Sequence, residues 1–245
     1  MSKIFEIKTL IAISLPLAFS ACAMAQGQTH EAHDAVHQDL NDIFRKSDLD
    51  VEQWQKQWEG EDRELFAYRQ EIVDAVDLAP GMLVADVGAG TGLFTLLFAE
   101  KTSPGGVVYA VEISPAFLDL INQRSEEAGF DNVVAVLGRD KQITLQKNSI
   151  DVIFLADTYH HFDYPAEILD SMLKVLKSDG RLIIIEFDRV PGKSHPWIVE
   201  HLRAGKDVFR SEIEAAGFAF DKEVVIEGLQ RNYFLQFVKP AQSTQ

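Results

Sequence analysis

Residues 83–95 read L-V-A-D-V-G-A-G-T-G-L-F-T. The apolar run over 83–87 suits a buried parallel strand, Gly88, Gly90 and Gly92 alternate through a tight turn, and 93–100 opens as a helix. Strand, glycine turn and helix in that order make a loop that holds a ligand. Missing Cβ atoms let the backbone pass close to a small molecule, and the helix start offers unpaired N–H groups and the positive end of a dipole.

Spacing selects the ligand. A dinucleotide fingerprint, G-x-G-x-x-G, requires glycine at position 93, where the chain has Leu93. The chain instead carries Asp86-x-Gly88-x-Gly90-x-Gly92. That pattern resembles motif I of the class I S-adenosylmethionine (SAM) methyltransferases. The resemblance implies SAM as cofactor, with Asp86, Gly88, Ala89, Gly90 and Gly92 around it.

Regular alternation follows the glycine turn. Strands are expected at 106–111, 132–137, 150–156 and 181–186, with helices at 115–128 and 165–176, the second stopped by Ser178-Asp179-Gly180. A helix over 207–216 ends at Gly217. Strands at 219–226 and 232–238 follow, separated by Gly228-Leu229-Gln230, and so short a loop makes them antiparallel. The fold expected is α/β, a doubly wound, mostly parallel seven-stranded sheet with a terminal antiparallel strand. Such an order is similar to the Rossmann-like class I methyltransferase fold, and the likeness covers about 54–239.

Ligands of open sheets sit beyond the carboxyl ends of the strands, so the residues that follow each strand are the candidates. Glu112, with Ile113 after it, ends the second strand; the resemblance implies that Glu112 accepts the ribose hydroxyls. Arg139 and Asp140 follow the third strand, where the resemblance places an acid against the adenine amine: either Arg139 holds that position, or Asp140 does and supplies the acid. After the fourth comes Asp157-Thr158-Tyr159-His160-His161-Phe162. Asp157 is read with the cofactor set, and a similar His-His-Phe segment lies beside the methyl group in many small-molecule methyltransferases. Methyl transfer needs alignment and, for a hydroxyl or protonated amine, removal of a proton. His160, His161 and Tyr159 are the catalytic candidates, since an imidazole titrates near pH ~6.5. Packing is the other reading of Phe162 and of one histidine. The segment 189–206, with His195, Trp197 and His201, is a long irregular stretch, and the resemblance implies that it forms part of the acceptor pocket.

At 245 residues, 47% hydrophobic and 25% charged, the chain suits one α/β domain with short additions. A formal charge of −15 argues against a nucleic-acid partner, because phosphate backbones are bound mainly by clustered Lys and Arg. Residues 1–25 read as an export signal: Lys3 and Lys8, an apolar run over 10–19, then Ala23-Met24-Ala25 before Gln26. Cleavage there gives a periplasmic chain. The alternative is lipid on Cys22 in Ser20-Ala21-Cys22, which alone would bring a membrane into play.

Residues 26–50 are expected to be a polar linker, and the SAM-binding domain to span 51–240. His30, His33 and His37 fall one residue short of H-E-x-x-H, so no metal is assigned. Helices over 51–76, broken at Gly60, carry Trp54, Trp58, Phe66 and Tyr68, which either pack on the sheet or serve as a lid. The function expected is methyl transfer from SAM to a small-molecule or lipid-like acceptor. An exported SAM-binding module without turnover is the alternative, motivated by the cytosolic origin of SAM.

Overall fold

The computed structural model describes residues 38–241. The export signal, Cys22, and His30, His33 and His37 therefore lie outside the described residues. Seven strands form one sheet: β1 (Leu83–Val87), β2 (Val107–Glu112), β3 (Val133–Leu137), β4 (Ile150–Ala156), β5 (Leu176–Phe187), β6 (Ala219–Val224) and β7 (Asn232–Val238). Their order is β3-β2-β1-β4-β5-β7-β6, with β7 antiparallel to both its neighbours and the other pairings parallel. The fold class expected from the sequence is the one observed. From β1 the chain winds outward to β2 and β3, then returns to lay β4 on the other side of β1. That reversal opens a crevice at the carboxyl ends of β1 and β4.

Nine helices stand among the described residues: α1 (Gln38–Asp42), α2 (Val51–Trp58), α3 (Glu64–Ala67), α4 (Arg69–Val76), α5 (Leu93–Thr102), α6 (Pro115–Ala128), α7 (Pro165–Val175), α8 (Pro196–His201) and α9 (Lys206–Ala215). Side chains along β4 alternate between two cores, as a strand covered on both faces requires. Val152 and Phe154 join Ile72, Val76, Phe94 and Phe98 of α4 and α5. Ile153 and Leu155 join Leu169, Met172, Phe209 and Ile213 of α7 and α9. None of the described helices is long and apolar enough to cross a membrane.

Three local expectations need correction. The Ser178-Asp179-Gly180 turn lies inside β5, where pairing passes from Ile150 with Leu176 to Val152 with Arg181. α7 ends at Val175 with Leu176 extended, and Gly180 admits the bulge because a Cβ there would meet Ile150 O at 3.1 Å. The second helix of the 51–76 region is broken at Tyr68 (φ −105°, ψ 23°) into α3 and α4. The part of the polar linker from Gln38 onward is no linker. Leu40, Ile43 and Phe44, spaced i, i+3, i+4, are an amphipathic signal that its polar neighbours hide, and Asn41 is buried.

Phe154 ties α5 to the sheet, with ring centroids 4.9 Å from both Phe94 and Phe98. Truncating Phe154→Ala is expected to cost about 3–5 kcal/mol through lost burial and a cavity, and Phe154→Leu clearly less. Urea unfolding checks this: the midpoint should fall with an unchanged slope.

Candidate functional site

β1 delivers Asp86 and the glycine turn to the crevice. Gly88, Gly90 and Gly92 all have positive φ (71°, 53° and 82°), which L side chains rarely adopt. Each also has a close neighbour where a Cβ would stand: Thr158 at Gly88, Trp58 Cζ3 at 3.0 Å from Gly90, and Ile121 Cγ1 at 2.8 Å from Gly92. Gly92 thus serves to seat the turn on α6, and it does not line the cavity, whereas Gly88, Ala89 and Gly90 do.

Glu112 reaches across from the end of β2. Its Oε2 accepts from Gly90 N (2.9 Å), and its Oε1 from Ile113 N (2.7 Å) and Ser114 N (2.9 Å). A carboxylate has about four acceptor positions, so one is left for a ligand. The N–H groups of Gly88 and Ala89 both donate to Val111 O (2.8 and 3.3 Å). The loop therefore offers close approach in place of the unpaired donors that the sequence suggests.

Burial raises Glu112 above the usual carboxylate range, against the pull of its three backbone donors. Asp86, which accepts from Thr95 Oγ1 at 2.6 Å, is pushed up to about 7 by burial, with the Thr95 bond opposing and the charge of Glu112 adding.

The cavity in front of these groups has a volume of about 560 Å³. It is roofed by aromatic rings: Trp54 and Trp58 of α2 lie 4.9 Å apart, Phe44 is 5.2 Å from Trp54, and Trp58 is 5.4 Å from Phe117 of α6. Of the lid candidates, Trp54 and Trp58 line the cavity and Phe66 and Tyr68 do not. An ion pair pins this roof to the loop. Arg124 meets both oxygens of Glu59 (2.5 and 3.0 Å) and donates to Thr91 O (2.7 Å), while Thr91 Oγ1 donates to Glu59 at 2.6 Å. Arg45 reaches the cavity edge to pair with Asp140.

The other end of the cavity begins at Asp157, a left-handed residue (φ 48°) directly after β4. Its carboxylate accepts from Arg63 Nη2 (2.9 Å) and Asn232 Nδ2 (2.6 Å). Burial and the nearby Glu186 hold its pKa well above the ordinary range, with Arg63 and Asn232 opposing. His160 is buried with Nδ1 2.8 Å from Glu186 Oε1. Glu186 also accepts from the backbone of His160 (3.2 Å) and Phe187 (3.0 Å), and burial pushes it up to about 7. The rings of His161 and His201 stand 5.6 Å apart beside it, and Trp197 stacks on His201 at 4.7 Å.

Tyr159 is set apart. Its ring is fully buried against Phe209, its hydroxyl donates to Glu212 (2.9 Å), and it does not line the cavity. Burial, then the charge of Glu212, raise its pKa further from any use as a base. Asp86, Gly88, Ala89, Gly90, Glu112, Ile113, Asp140, Asp157, His160 and His161 all come together on one cavity. Sequence reasoning missed Phe44, Arg45, Glu59, Arg63 and Phe117, which chain distance separates from the motifs they complete. Glu186 did carry a signal, as a lone acid at the end of the apolar run Ile183-Ile184-Ile185.

Sheet order, glycine turn and strand-end acids define a Rossmann-like fold of the methyltransferase type. A family model described as a methyltransferase domain matches residues 78–231, well over half of the chain, and the chain belongs to that family. An uncharacterized methyltransferase of Mycobacterium bovis is 34% identical over 119 residues, 49% of this chain and 45% of its own length. A ubiquinone/menaquinone biosynthesis C-methyltransferase of Ectopseudomonas mendocina is 30% identical over 126 residues, 51% of this chain and 49% of its own. The chain thus spans about half the length of these relatives. A solved SAM-dependent methyltransferase from Aquifex aeolicus superposes with a TM-score of 0.69 at 23% identity, over 78% of this chain and 98% of that one, a likeness of fold.

SAM is the cofactor that goes with this domain, and the side chains present fit it. Asp86 and Glu112 are buried and Asp157 is partly buried beside the cavity, and Arg63 pairs only with the last, which suits a ligand bearing a sulfonium and an ammonium.

Asp86 gives a pH test. The folded state holds its proton to about pH 7, against an ordinary 3.8, so between those values the native chain binds more protons than the unfolded one. Stability from this group therefore falls as pH rises from about 4 to 7 and is level above, by a few kcal/mol in order of magnitude. Asp86→Asn cannot ionise. Urea unfolding should show the variant gaining on the wild type between pH 5 and pH 8; a stability difference independent of pH would contradict this.

Proposed function

We propose that the protein transfers a methyl group from SAM to a small, largely apolar acceptor. One observation carries this reading: a single cavity joins the Glu112–glycine loop end to the end lined by His161, Trp197 and His201. Its volume suits a bound small molecule. SAM, when bound, supplies a methyl group on an electrophilic sulfonium. The chain would hold it by the remaining acceptor position of Glu112 and by the close approach that Gly88 and Gly90 allow.

A cationic ligand end would draw the protons off Asp86 and Asp157 and be held by the ionised carboxylates, and the roof of Phe44, Trp54 and Trp58 would keep water out. Phe187, Trp197 and Phe162 give the acceptor end an aromatic wall, which fits a planar apolar ring. The quinone-biosynthesis C-methyltransferase among the relatives supports that acceptor class. His160, His161 and His201 are the groups there that could handle an acceptor proton.

Calorimetry with SAM and S-adenosylhomocysteine tests the cofactor end, and transfer of labelled methyl to a panel of quinols and phenols tests the acceptor end. Micromolar binding of both cofactor forms is expected, with Gly90→Leu folded by circular dichroism but not binding, since its side chain would stand against Trp58. A folded wild type that gives heat with neither form sinks the proposal.

We further propose export, on the residues of 1–25 that read as a signal. Intact mass of protein purified from its host is expected to show a soluble chain beginning at Gln26. Lipid on Cys22 would move the enzyme to a membrane, and a full-length cytosolic chain retaining Met1 would overturn export altogether.

A further inference from the structure

Among the described residues, three imidazoles converge at the acceptor end of the cavity. The nearest ring nitrogens of His160, His161 and His201 all lie within 4.8 Å of one another. Ring centroids are 4.2 Å apart for His160 and His161, and 5.0 Å for His160 and His201. The tight turn at Tyr159–His161 supplies two successive rings, and both line the cavity. The third comes from the opposite wall, where α8 starts at Pro196 with His195 as its N-cap and is anchored by buried Ile198.

We propose that His160, His161 and His201 form a three-histidine site for a zinc-class divalent metal ion, with its remaining coordination position open to the cavity. Imidazole is a preferred ligand of zinc and its neighbours, and three histidines with one open position is a known catalytic arrangement for zinc. Ring nitrogens that share an ion at ~2.0–2.1 Å stand roughly 3.3 Å apart, so each would move by about 1 Å. His161 and His201 are only half-buried, and side-chain rotation can supply that movement.

Glu186 is the second argument. It holds His160 Nδ1 at 2.8 Å from a fully buried position and is itself fixed by two backbone N–H groups. A carboxylate behind a histidine fixes the tautomer, turns Nε2 toward the ion and raises the basicity of the ring. A histidine that only packs has no need of a buried carboxylate, whose own burial is unfavourable. The other two rings are also held in place: Trp197 stacks on His201 with an interplanar angle of 17°, and Phe44 stands edge-on to His161 at 5.9 Å.

The ligand for the open position is an oxygen donor. On the functional reading above, and resting on it for this step alone, that donor is a hydroxyl, phenol or enol oxygen of the acceptor. The histidines then serve as ligands in place of a general base.

The test uses tag-free mature chain, stripped with EDTA and titrated with Co²⁺ while visible absorption is followed, with Zn²⁺ competition, metal analysis by mass spectrometry and S-adenosylhomocysteine calorimetry on the same samples. One equivalent of Co²⁺ displaced by Zn²⁺ is expected. Glu186→Gln should weaken the affinity by about 10–100-fold, and the His161→Ala/His201→Ala double variant should abolish stoichiometric uptake. Acetohydroxamate should shift the cobalt band if a position is open; an unmoved band contradicts that part.

A wild type that binds S-adenosylhomocysteine but takes up neither metal at ~100 μM overturns the site. So does metal retained with unchanged affinity by the double variant, which would place it elsewhere, for example at His30, His33 and His37. Circular dichroism on each variant keeps the reading sound, and His201→Gln, expected to weaken uptake, stands in if the double variant does not fold. Metal uptake without S-adenosylhomocysteine binding would sink the methyltransferase reading and leave this site standing.

Discussion

The hydrogen bond from Gly90 N to Glu112 Oε2, 2.9 Å long, ties the glycine turn after β1 to the end of β2. Two further backbone donors lock the same carboxylate, so neither the turn nor the strand end can move alone. Everything around the cofactor end is set by that closure. Gly90 must be glycine because the turn brings it under the Trp58 ring with φ of 53°. Trp58 can lie there because Glu59, next in the chain, is held by Arg124 of α6 and by Thr91 of the turn itself. Roof, turn and sheet are thus one bonded unit at this end.

Four acids stand at the carboxyl ends of neighbouring strands: Asp86 on β1, Glu112 on β2, Asp157 after β4 and Glu186 on β5. All four are raised by burial. A chain selected for stability alone would not place them there, since burying carboxylates is unfavourable unless each is bonded. Here each is bonded, by backbone N–H groups, Thr95, Arg63, Asn232 or His160. Carboxylates with raised pKa beside a cleft make a candidate functional site, and a bound cation would favour their ionised forms. Asp86 and Glu112 face one end of the cavity, while Glu186 bonds His160 at the other.

The fold was legible in the sequence because its signals are local. Leu83–Val87, Pro115–Ala128, Ile150–Ala156 and Asn232–Val238 fall where periodicity and glycine place them, and strand ends then name Asp86, Glu112 and Asp157 without any knowledge of packing. What stayed hidden depends on contacts over long chain separations. Asn41 donates to His161 O at 2.8 Å across 120 residues, and nothing in the polar stretch around it says so. Tyr159, adjacent to two cavity histidines, turns into the core because a tight turn sends successive side chains in different directions. Sequence proximity to a site is no measure of membership. Gly92 makes the same point, since a Cβ there would meet Ile121 on α6 and the residue does not line the cavity.

On the proposed function, the glycine turn, Asp86 and Glu112 form the cofactor end of a cavity whose acceptor end is the histidine cluster. A crystal structure of the protein with S-adenosylhomocysteine is the test. Expected there are a ribose hydroxyl within hydrogen-bond distance of Glu112, the ligand backbone-close to Gly88 and Gly90 beneath Trp58, and the sulfur facing the Asp157–His161 end. A ligand bound outside the cavity, or within it but reversed, so that the adenosine occupies the histidine end, would overturn this placement.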